Sequence, residues 1–249
     1  MGQAIIMAAG LGSRLGELTA DLPKALIDVG GHPLIDYALA FATAVGAEHR
    51  IVVGGFCHRE VARRVTSRDA DAVVVENSDF RKGNLLSLLA GRARLEPGGF
   101  LLMNTDHVYR PAIAQIVADT ARRAREVTAF VDRDRTLGAD DMKVKLDGQG
   151  RVAEMAKALT DWDVGYVGMT WVPSGRVAAH SDAAHHLLET AGEGCHVEQV
   201  LVEMARRGEP PAVADISGHG WLEIDEPDER AKADEVLRRE RWWLLENPQ

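Results

Sequence analysis

The chain has 249 residues, of which 46% are hydrophobic and 27% charged, so it can bury a core that needs no disulfide or structural metal. Its formal net charge of −9 argues against a general nucleic-acid surface. No apolar run approaches the roughly 20 residues that a membrane-spanning helix needs. The two cysteines, Cys57 and Cys195, form no C-x-x-C pair, and the amino terminus shows no charged leader. We therefore expect a cytoplasmic protein without membrane insertion.

Short apolar runs alternate with segments of helical periodicity through the first half of the sequence. Strands are predicted at 4–9, 50–54, 72–75 and 100–104, and helices at 34–45, 58–65, 85–94 and 112–123. This alternation is typical of β-α-β units, in which a parallel sheet carries helices on both faces.

The pattern changes after a fifth apolar run at 127–131. Turn residues at 147–150 separate the segments 142–146 and 151–155, which predicts an antiparallel hairpin. Further strands are predicted at 164–172 and 221–224, and helices near 181–191, at 197–207 and at the end of the chain. The predicted fold class is α/β, with a Rossmann-like mixed, mainly parallel sheet flanked by helices and a small antiparallel hairpin.

A glycine-rich segment follows the first predicted strand. Gly10, Gly12 and Ser13 precede Arg14, and Lys24 lies a short distance downstream. Small residues let backbone amides approach phosphate oxygens, and the two cations would add positive charge. A bare G-x-G is more often an ordinary turn beside solvated cations. A dinucleotide-binding loop is disfavoured, because Leu15 fills the place of its third glycine.

Two acidic residues follow predicted strands. Asp106 comes after the run at 100–104, and Asp225 follows the run at 221–224, in which alternation directs Glu223 to the same side. Ligands of open α/β sheets gather at the carboxyl ends of the strands, and Mg²⁺ prefers carboxylate and phosphate oxygens. The alternative is that both acids cap the helices that follow them.

Together these motifs resemble the nucleotidyltransferases with a glycosyltransferase-A-like fold, which include sugar-phosphate and alcohol-phosphate nucleotidylyltransferases. The resemblance rests on residues 8–14, on 23–26 and on both acids. It implies a single domain over 1–249, with a nucleotide-binding half at approximately 1–125 and an acceptor-binding half at 126–249. It also implies the following roles: Ala8, Ala9, Gly10, Gly12 and Ser13 bind the nucleotide, Arg14 and Lys24 contact its phosphates, and Asp106 and Asp225 bind Mg²⁺.

Further segments indicate which members of this family the chain resembles. Gly83, Asn84 and Ser87 fall in a stretch similar to the base- and ribose-binding segment of cytidylyltransferases. Residues 105–109, 140–144, 156–159 and 163–165 resemble inositol-1-phosphate cytidylyltransferases most closely. The chain departs from them at Ala156, where Gly is usual, and at Val164, where Thr is usual. By this resemblance the acceptor-binding residues are Lys143, Lys157, Asp163 and Gly165.

A phosphate-binding role for Lys143 and Lys157 also follows from their positions and charge, without the resemblance. Lys143 lies on one strand of the predicted hairpin and Lys157 just beyond the other, so both are expected to lean over one cleft. An attacking phosphate carries almost two negative charges and approaches an anionic triphosphate, so cations would offset the repulsion. The alternative is a pair of solvated surface lysines.

The expected reaction transfers CMP from CTP to a small phosphorylated alcohol, polyol or phosphonate and releases pyrophosphate, with Mg²⁺ as cofactor. One alternative is a sugar-1-phosphate nucleotidylyltransferase that uses dTTP, GTP, UTP or ATP. Less favoured alternatives are a glycosyltransferase and a non-catalytic nucleotide sensor. The segment at 241–245, Arg-Trp-Trp-Leu-Leu, is interpreted as core packing or as a homodimer contact.

Overall fold

The computed structural model describes residues 2–240, so the segment at 241–245 lies outside the described residues. The strands are β1 (Gln3–Ala8), β2 (Asp28–Val29), β3 (His32–Pro33), β4 (His49–Gly54), β5 (Val73–Glu76), β6 (Phe100–Asn104), β7 (His107–Tyr109), β8 (Thr128–Asp132), β9 (Lys143–Leu146), β10 (Val152–Ala156), β11 (Val164–Val172), β12 (Ala212–Asp215) and β13 (Trp221–Glu223). The helices are α1 (Leu34–Ala44), α2 (His58–Arg68), α3 (Leu85–Arg92), α4 (Pro111–Arg123), α5 (Val177–Ala191), α6 (Glu198–Arg206) and α7 (Pro227–Glu240).

One mixed sheet contains most of the strands, in the order β10-β9-β11-β6-β1-β4-β5, and β8 and β12 join it beside β11. As the alternation predicts, β1 is parallel to β4 and β6, and β4 is parallel to β5. β11 runs antiparallel to β6, and β9 and β10 form the predicted antiparallel hairpin. The predicted fold class is confirmed. β11 comes from the second predicted half and pairs with β6 of the first, so both halves share one sheet.

Helices cover both faces of this sheet. Ile5 packs with Leu88 and Val200 on one face, while its neighbour Ile6 packs with Phe41 and Val61 on the other. All six side chains are fully or almost fully buried. Successive residues of a strand point to opposite faces, which is why a central strand between two helix layers is apolar at every position.

The register of β1 against β6 brings their carboxyl ends to the same edge of the sheet. Met7 pairs with Asn104 at the last position of this register, and the Thr105 hydroxyl donates to the Met7 carbonyl over 2.9 Å. The glycine-rich loop after β1 and the segment containing Asp106 after β6 therefore begin side by side.

A second, two-stranded sheet brings a distant segment to the same edge. β7 and β13 pair antiparallel, with Tyr109 opposite Trp221 and His107 opposite Glu223. The sequence pattern predicted β13 but not β7, which has three residues and follows β6 after a turn. This pairing places the segment that contains Asp225 beside the end of β6.

Two further differences from the sequence prediction concern short strands. β12 pairs parallel with β8, and β2 pairs with β3 in a two-residue hairpin. β2 and β3 have only two residues each, too few to show an alternating pattern, and no strand was predicted at 212–215. Within residues 2–240 no helix combines the length and apolar character needed to cross a bilayer.

Candidate active site

The two acids that follow β6 and β13 converge on one lysine. Lys24 lies in a short 3₁₀ turn after Pro23 and is 8% exposed. Its ammonium donates to Asp106 Oδ2 over 2.7 Å and also donates to Asp225 Oδ1. The structure thus brings together three of the residues that the sequence predicted as catalytic.

Electrostatics keep this cluster ionised despite its burial. Burial alone would raise the pKa of the Asp106 carboxyl, but Lys24 and His107 hold it well below its usual range. Burial alone would lower the pKa of the Lys24 ammonium, but Asp106 and Asp225 raise it above its usual value. Lys24 and Asp106 therefore each stabilise the charged form of the other.

The alternative role of the acids as helix caps does not fit the contacts. α4 begins after Arg110 without a side-chain cap, so Asp106 does not cap it. At the start of α7 the Glu229 carboxylate accepts hydrogen bonds from the main-chain N–H groups of Asp225 and Glu226, at 2.8 and 3.1 Å. The Asp225 carboxylate is left for Lys24 and Arg14.

The glycine-rich loop folds against Lys24. Gly12 has φ 68°, and a Cβ at this position would lie 2.8 Å from the Lys24 Cβ. The next turn carries Arg14, whose guanidinium donates to Asp225 and, over 3.1 Å, to Asp140. Ser13 is exposed at the start of this turn. Glycine is required at Gly12 both for the left-handed backbone and for the close approach of Lys24.

A cavity of about 140 Å³ lies between the glycine-rich loop and α3. Its lining includes Ala8, Ala9, Gly10, Lys24, Asn84, Ser87 and Asp106. This cavity brings together most of the residues predicted to bind the nucleotide.

Three residues of the predicted base-binding segment are fixed by nearby backbone and side chains. Asn84 Oδ1 accepts a hydrogen bond from Val197 N over 2.8 Å, and the Ser87 hydroxyl accepts one from Asn77 Nδ2 over 2.8 Å. Gly83 has φ 105°, and a Cβ there would lie 2.5 Å from the Cys195 carbonyl oxygen. The segment therefore packs against the amino-terminal end of α6.

A larger cavity of about 350 Å³ lies on the other side of the ionic cluster. It shares Asn84, Asn104 and Asp106 with the smaller one. The rest of its lining comes from several segments: Arg14, His107, Asp140, Met142, Met155, Ala156, Lys157, Tyr166, Gly168, His196, Glu198, Gln199, Glu223 and Asp225. Asp106 thus lies at the boundary of two cavities, a geometry suited to a reaction between two bound molecules.

Of the predicted acceptor-binding residues, only Lys157 lines this cavity. Lys143 is 5% exposed, and its ammonium donates to the carbonyl oxygens of Gly138 and Lys157, both over 2.7 Å. The prediction that both lysines lean over one cleft is therefore wrong for Lys143, because loop carbonyls hold its ammonium inside the hairpin region.

Asp163 and Gly165 also lie away from both cavities. The Asp163 carboxylate accepts a hydrogen bond from Leu146 N over 2.8 Å and lies 3.5 Å from the Lys145 ammonium. Gly165 pairs with Asp132 and Lys143 in the sheet, and a Cβ there would lie 2.7 Å from Leu137. Both residues support the join between β9 and β11, and direct contact with an acceptor does not fit their positions.

The sequence analysis missed a stack of aromatic rings beneath Asp106. His107 Nδ1 lies 2.5 Å from Asp106 Oδ1, and the His107 ring stacks on Trp221 at 5.1 Å between centroids. The Arg135 guanidinium lies over the Trp221 ring, 4.2 Å from its centroid, and pairs with Glu223 at 3.2 Å. The adjacency of His107 to Asp106 is visible in the sequence, but its inward direction depends on the pairing of β7 with β13.

The donor set at the cluster fits a hard cation. Asp106 and Asp225 supply carboxylate oxygens that meet the same positive group, Lys24, so the two can share a cation. Within the described residues no group of three or more His, Cys, Asp or Glu side chains forms a metal site by itself. Two carboxylates that rely on substrate phosphates and water for the remaining ligands are typical of Mg²⁺ sites.

Comparisons with known proteins identify relatives of this chain. The chain is 30% identical over 239 residues to the bifunctional IPC transferase and DIPP synthase of Rubrobacter xylanophilus, covering 94% of this chain and 51% of the relative. It is 28% identical over 246 residues to the CMP-5'-(3-aminopropyl)phosphonate synthase of Streptomyces rubellomurinus, covering 93% of this chain and 38% of the relative. The chain thus spans about half, or less, of the length of these relatives.

The fold is also similar to that of a solved structure. The inositol-1-phosphate CTP transferase from T. maritima superposes with a TM-score of 0.79 at 20% identity, over 99% of this chain and 95% of the other. The model of the MobA-like NTP transferase domain matches residues 4–214, which include the glycine-rich loop, Lys24 and Asp106. The chain therefore belongs to the MobA-like NTP transferase family, as the resemblance of its motifs predicted.

Proposed function

We propose that the protein transfers CMP from CTP to a small phosphorylated alcohol, polyol or phosphonate and releases pyrophosphate. The observation that carries the proposal is the position of the Lys24–Asp106–Asp225 cluster between two cavities. The smaller cavity accepts the nucleotide, and the larger one accepts the phosphorylated co-substrate. Relatives whose names include IPC transferase and CMP-phosphonate synthase support cytidylyl transfer to such acceptors.

On the nucleotide side, the glycine-rich loop and the start of α3 hold CTP. Backbone groups of Ala8 to Gly10 approach the nucleotide closely, because these small residues leave the cavity wall open. Asn84 and Ser87 line the opposite wall and contact the base and ribose. Arg14 and Lys24 stabilise the negative charge that develops on the departing pyrophosphate.

Mg²⁺ is the metal ion that we assign to Asp106 and Asp225. A bound Mg²⁺ would supply positive charge to the phosphates of the nucleotide. The side chain of Lys24 already contacts both carboxylates, so we infer that its ammonium exchanges some of these contacts for phosphate oxygens when the substrates bind.

On the acceptor side, Lys157 orients the attacking phosphate or phosphonate in the larger cavity. An oxygen of the acceptor's phosphate or phosphonate forms a new bond to the α-phosphorus of CTP. The bond from that phosphorus to the bridging oxygen of the departing pyrophosphate breaks at the same time. The second pKa of a phosphate monoester is about 6, so the nucleophile is already ionised at neutral pH and no general base is needed. Catalysis then consists of positioning and charge stabilisation.

Pyrophosphate release from a panel of substrates tests the proposal. CTP, ATP, GTP, UTP and dTTP are each combined with phosphorylated alcohols, polyols, phosphonates and sugars in the presence of Mg²⁺. The expected result is the highest rate with CTP and a phosphorylated alcohol, polyol or phosphonate. A preference for another nucleotide with a sugar 1-phosphate would indicate a sugar-phosphate nucleotidylyltransferase.

Two other outcomes separate the remaining alternatives. Consumption of a sugar nucleotide without pyrophosphate release would indicate a glycosyltransferase. Binding of nucleotide without turnover of any acceptor would indicate a sensor. Asp161→Asn is the control variant and should keep the wild-type rate. This exposed residue pairs with Lys145 on the hairpin and lines neither cavity.

A further inference from the structure

A buried carboxylate in the larger cavity has no role in the proposed reaction. Glu198 is the first residue of α6, is 8% exposed and lines the cavity of about 350 Å³. Among residues 2–240, no cation forms an ion pair with it and no other residue donates a hydrogen bond to its carboxylate; its own backbone N–H is the one donor. Burial raises the pKa of Glu198 above its usual value, as expected for a carboxylate without a counter-ion.

The other acids that line this cavity are compensated. Asp106 and Asp225 contact Lys24, Asp140 contacts Arg14, and Glu223 contacts Arg135. Glu198 is thus the acid in the cavity wall that forms no ion pair within the described residues, although the charges of His196 and Lys157 act on it from a longer distance. A buried charge without a partner is costly, and a ligand that supplies the opposite charge recovers that cost on binding.

A cation without an ion-pair partner lines the same cavity. Lys157 makes no ion pair within the described part of the chain. Its positive charge acts on the Glu198 carboxyl and opposes the rise in pKa that burial causes. The wall also includes the apolar side chains of Met142 and Met155. One cavity therefore combines a positive group, a negative group and apolar surface, which matches a short zwitterion with a methylene chain.

We propose that Glu198 is the counter-ion for a protonated amine on the acceptor, so that the acceptor is an aminoalkyl phosphate or aminoalkyl phosphonate. This inference rests on the proposed function, because it assumes that Lys157 contacts the acceptor's phosphate or phosphonate. A hydroxyl group can donate a hydrogen bond to Glu198, but a neutral polyol leaves the buried negative charge without a counter-ion. An ammonium group supplies both the hydrogen-bond donor and the counter-ion in one charge-assisted hydrogen bond.

The experiment compares acceptors that differ only in the amine. Phosphoethanolamine and 2-aminoethylphosphonate are tested against propyl phosphate and propylphosphonate, in which a methyl group replaces the ammonium, and against inositol 1-phosphate. Kinetics of pyrophosphate release with CTP are measured for the wild type, for Glu198→Gln and for the control Glu203→Gln. Glu203 lies on the same helix, pairs with His186 at 3.6 Å and does not line the cavity.

The wild type is expected to use at least one aminated acceptor with kcat/KM about 10- to 100-fold above its methyl analogue, mainly through a lower KM, as a charge-assisted hydrogen bond predicts. Glu198→Gln should remove most of that preference and leave the methyl analogues nearly unchanged, while Glu203→Gln should behave as the wild type. The loss of the amine from the acceptor and the Glu198→Gln substitution remove the same contact. Their effects on kcat/KM should therefore not add.

Two results would overturn the inference and leave the proposed function intact. One is turnover of inositol 1-phosphate more than about 10-fold above both aminated acceptors by the wild type, since a counter-ion should favour the amine. The other is an equal loss on aminated and methyl acceptors in Glu198→Gln. The wild-type comparison needs no variant, so it decides the question even if Glu198→Gln folds poorly. If no acceptor supports pyrophosphate release, the proposed function and this inference both fail.

Discussion

The main-chain N–H of Ile224 donates to the carbonyl oxygen of Asp106 over 2.9 Å. This bond continues the pairing of β7 with β13 by one step and fixes the segment around Asp225 against the end of β6. Two acids that are far apart in the sequence therefore reach the same ammonium through backbone geometry. The arrangement of the cluster thus follows from the pairing of β7 with β13 at the end of β6.

The first prediction concerns Lys24. Lys24→Ala should lower the rate of pyrophosphate release by about 100-fold or more, the usual effect of removing one preorganised charge contact to a transition state. Because Asp106 and Asp225 lose their shared partner, the variant should also unfold at a lower temperature, with a free-energy loss of about 3–5 kcal/mol. Kinetics and thermal melting measure the two effects. Lys145→Ala, which removes an exposed ion pair on the hairpin, is the matched control.

The second prediction is that Arg14→Ala lowers turnover with little loss of stability, unlike Lys24→Ala. Arg14 is partly exposed and pairs with Asp140 and Asp225 at the rim of the larger cavity, so Arg14→Ala should cost little stability. It should still lower turnover by about 100-fold if the guanidinium stabilises pyrophosphate. Arg176→Ala, which removes an exposed pair with Glu209, controls for the loss of a surface arginine. A normal rate in folded Arg14→Ala would remove this residue from the mechanism.

Gly12→Ala tests the close packing of the loop against Lys24. Gly12 and Gly150 have φ of 68° and 75°, but only at Gly12 would a Cβ meet another side chain, that of Lys24 at 2.8 Å. Both alanine variants should lose about 1–2 kcal/mol of stability from the left-handed backbone. Only Gly12→Ala should also lose turnover, because Lys24 must move. Equal turnover in the two variants would show that the position of Lys24 does not depend on this contact.

The strands and helices that the sequence predicted are those with a long periodic pattern. β6 and β11 have the predicted bounds, and residues 8–10 of the loop line the same cavity as Lys24. β7 was missed because it follows β6 after only two residues and has no separate apolar run, although its pairing with β13 brings the acids together. Strand existence can thus be read from local sequence, whereas the pairing of short strands depends on tertiary packing.

Side-chain direction was less predictable than backbone position. Lys143 was expected over the cleft, but the carbonyls of Gly138 and Lys157 hold its ammonium, and the path of those loops is not encoded in a local pattern. Glu198 is an acid in the first turn of a helix, a position that is commonly solvated. Its burial follows from the packing of α6 against β10, which sequence periodicity alone does not show.

The last prediction is that Asp106→Asn and Asp225→Asn each abolish magnesium-dependent turnover and leave the fold close to wild type. Replacement of a carboxylate by an amide keeps the size of the side chain but removes the charge that a hard cation needs. Each variant leaves Lys24 with one carboxylate, so its ammonium keeps a partner and the cluster should stay assembled.

Circular dichroism checks folding, and a magnesium titration of pyrophosphate release reports function in Asp106→Asn and Asp225→Asn. Asp161→Asn, an exposed acid outside both cavities, is the matched control and should titrate like the wild type. A helix-capping role would instead predict a small loss of stability with an almost normal rate. If either variant kept the wild-type magnesium dependence and rate, that acid would not be a metal ligand, and its contact with Lys24 would serve only to position the ammonium.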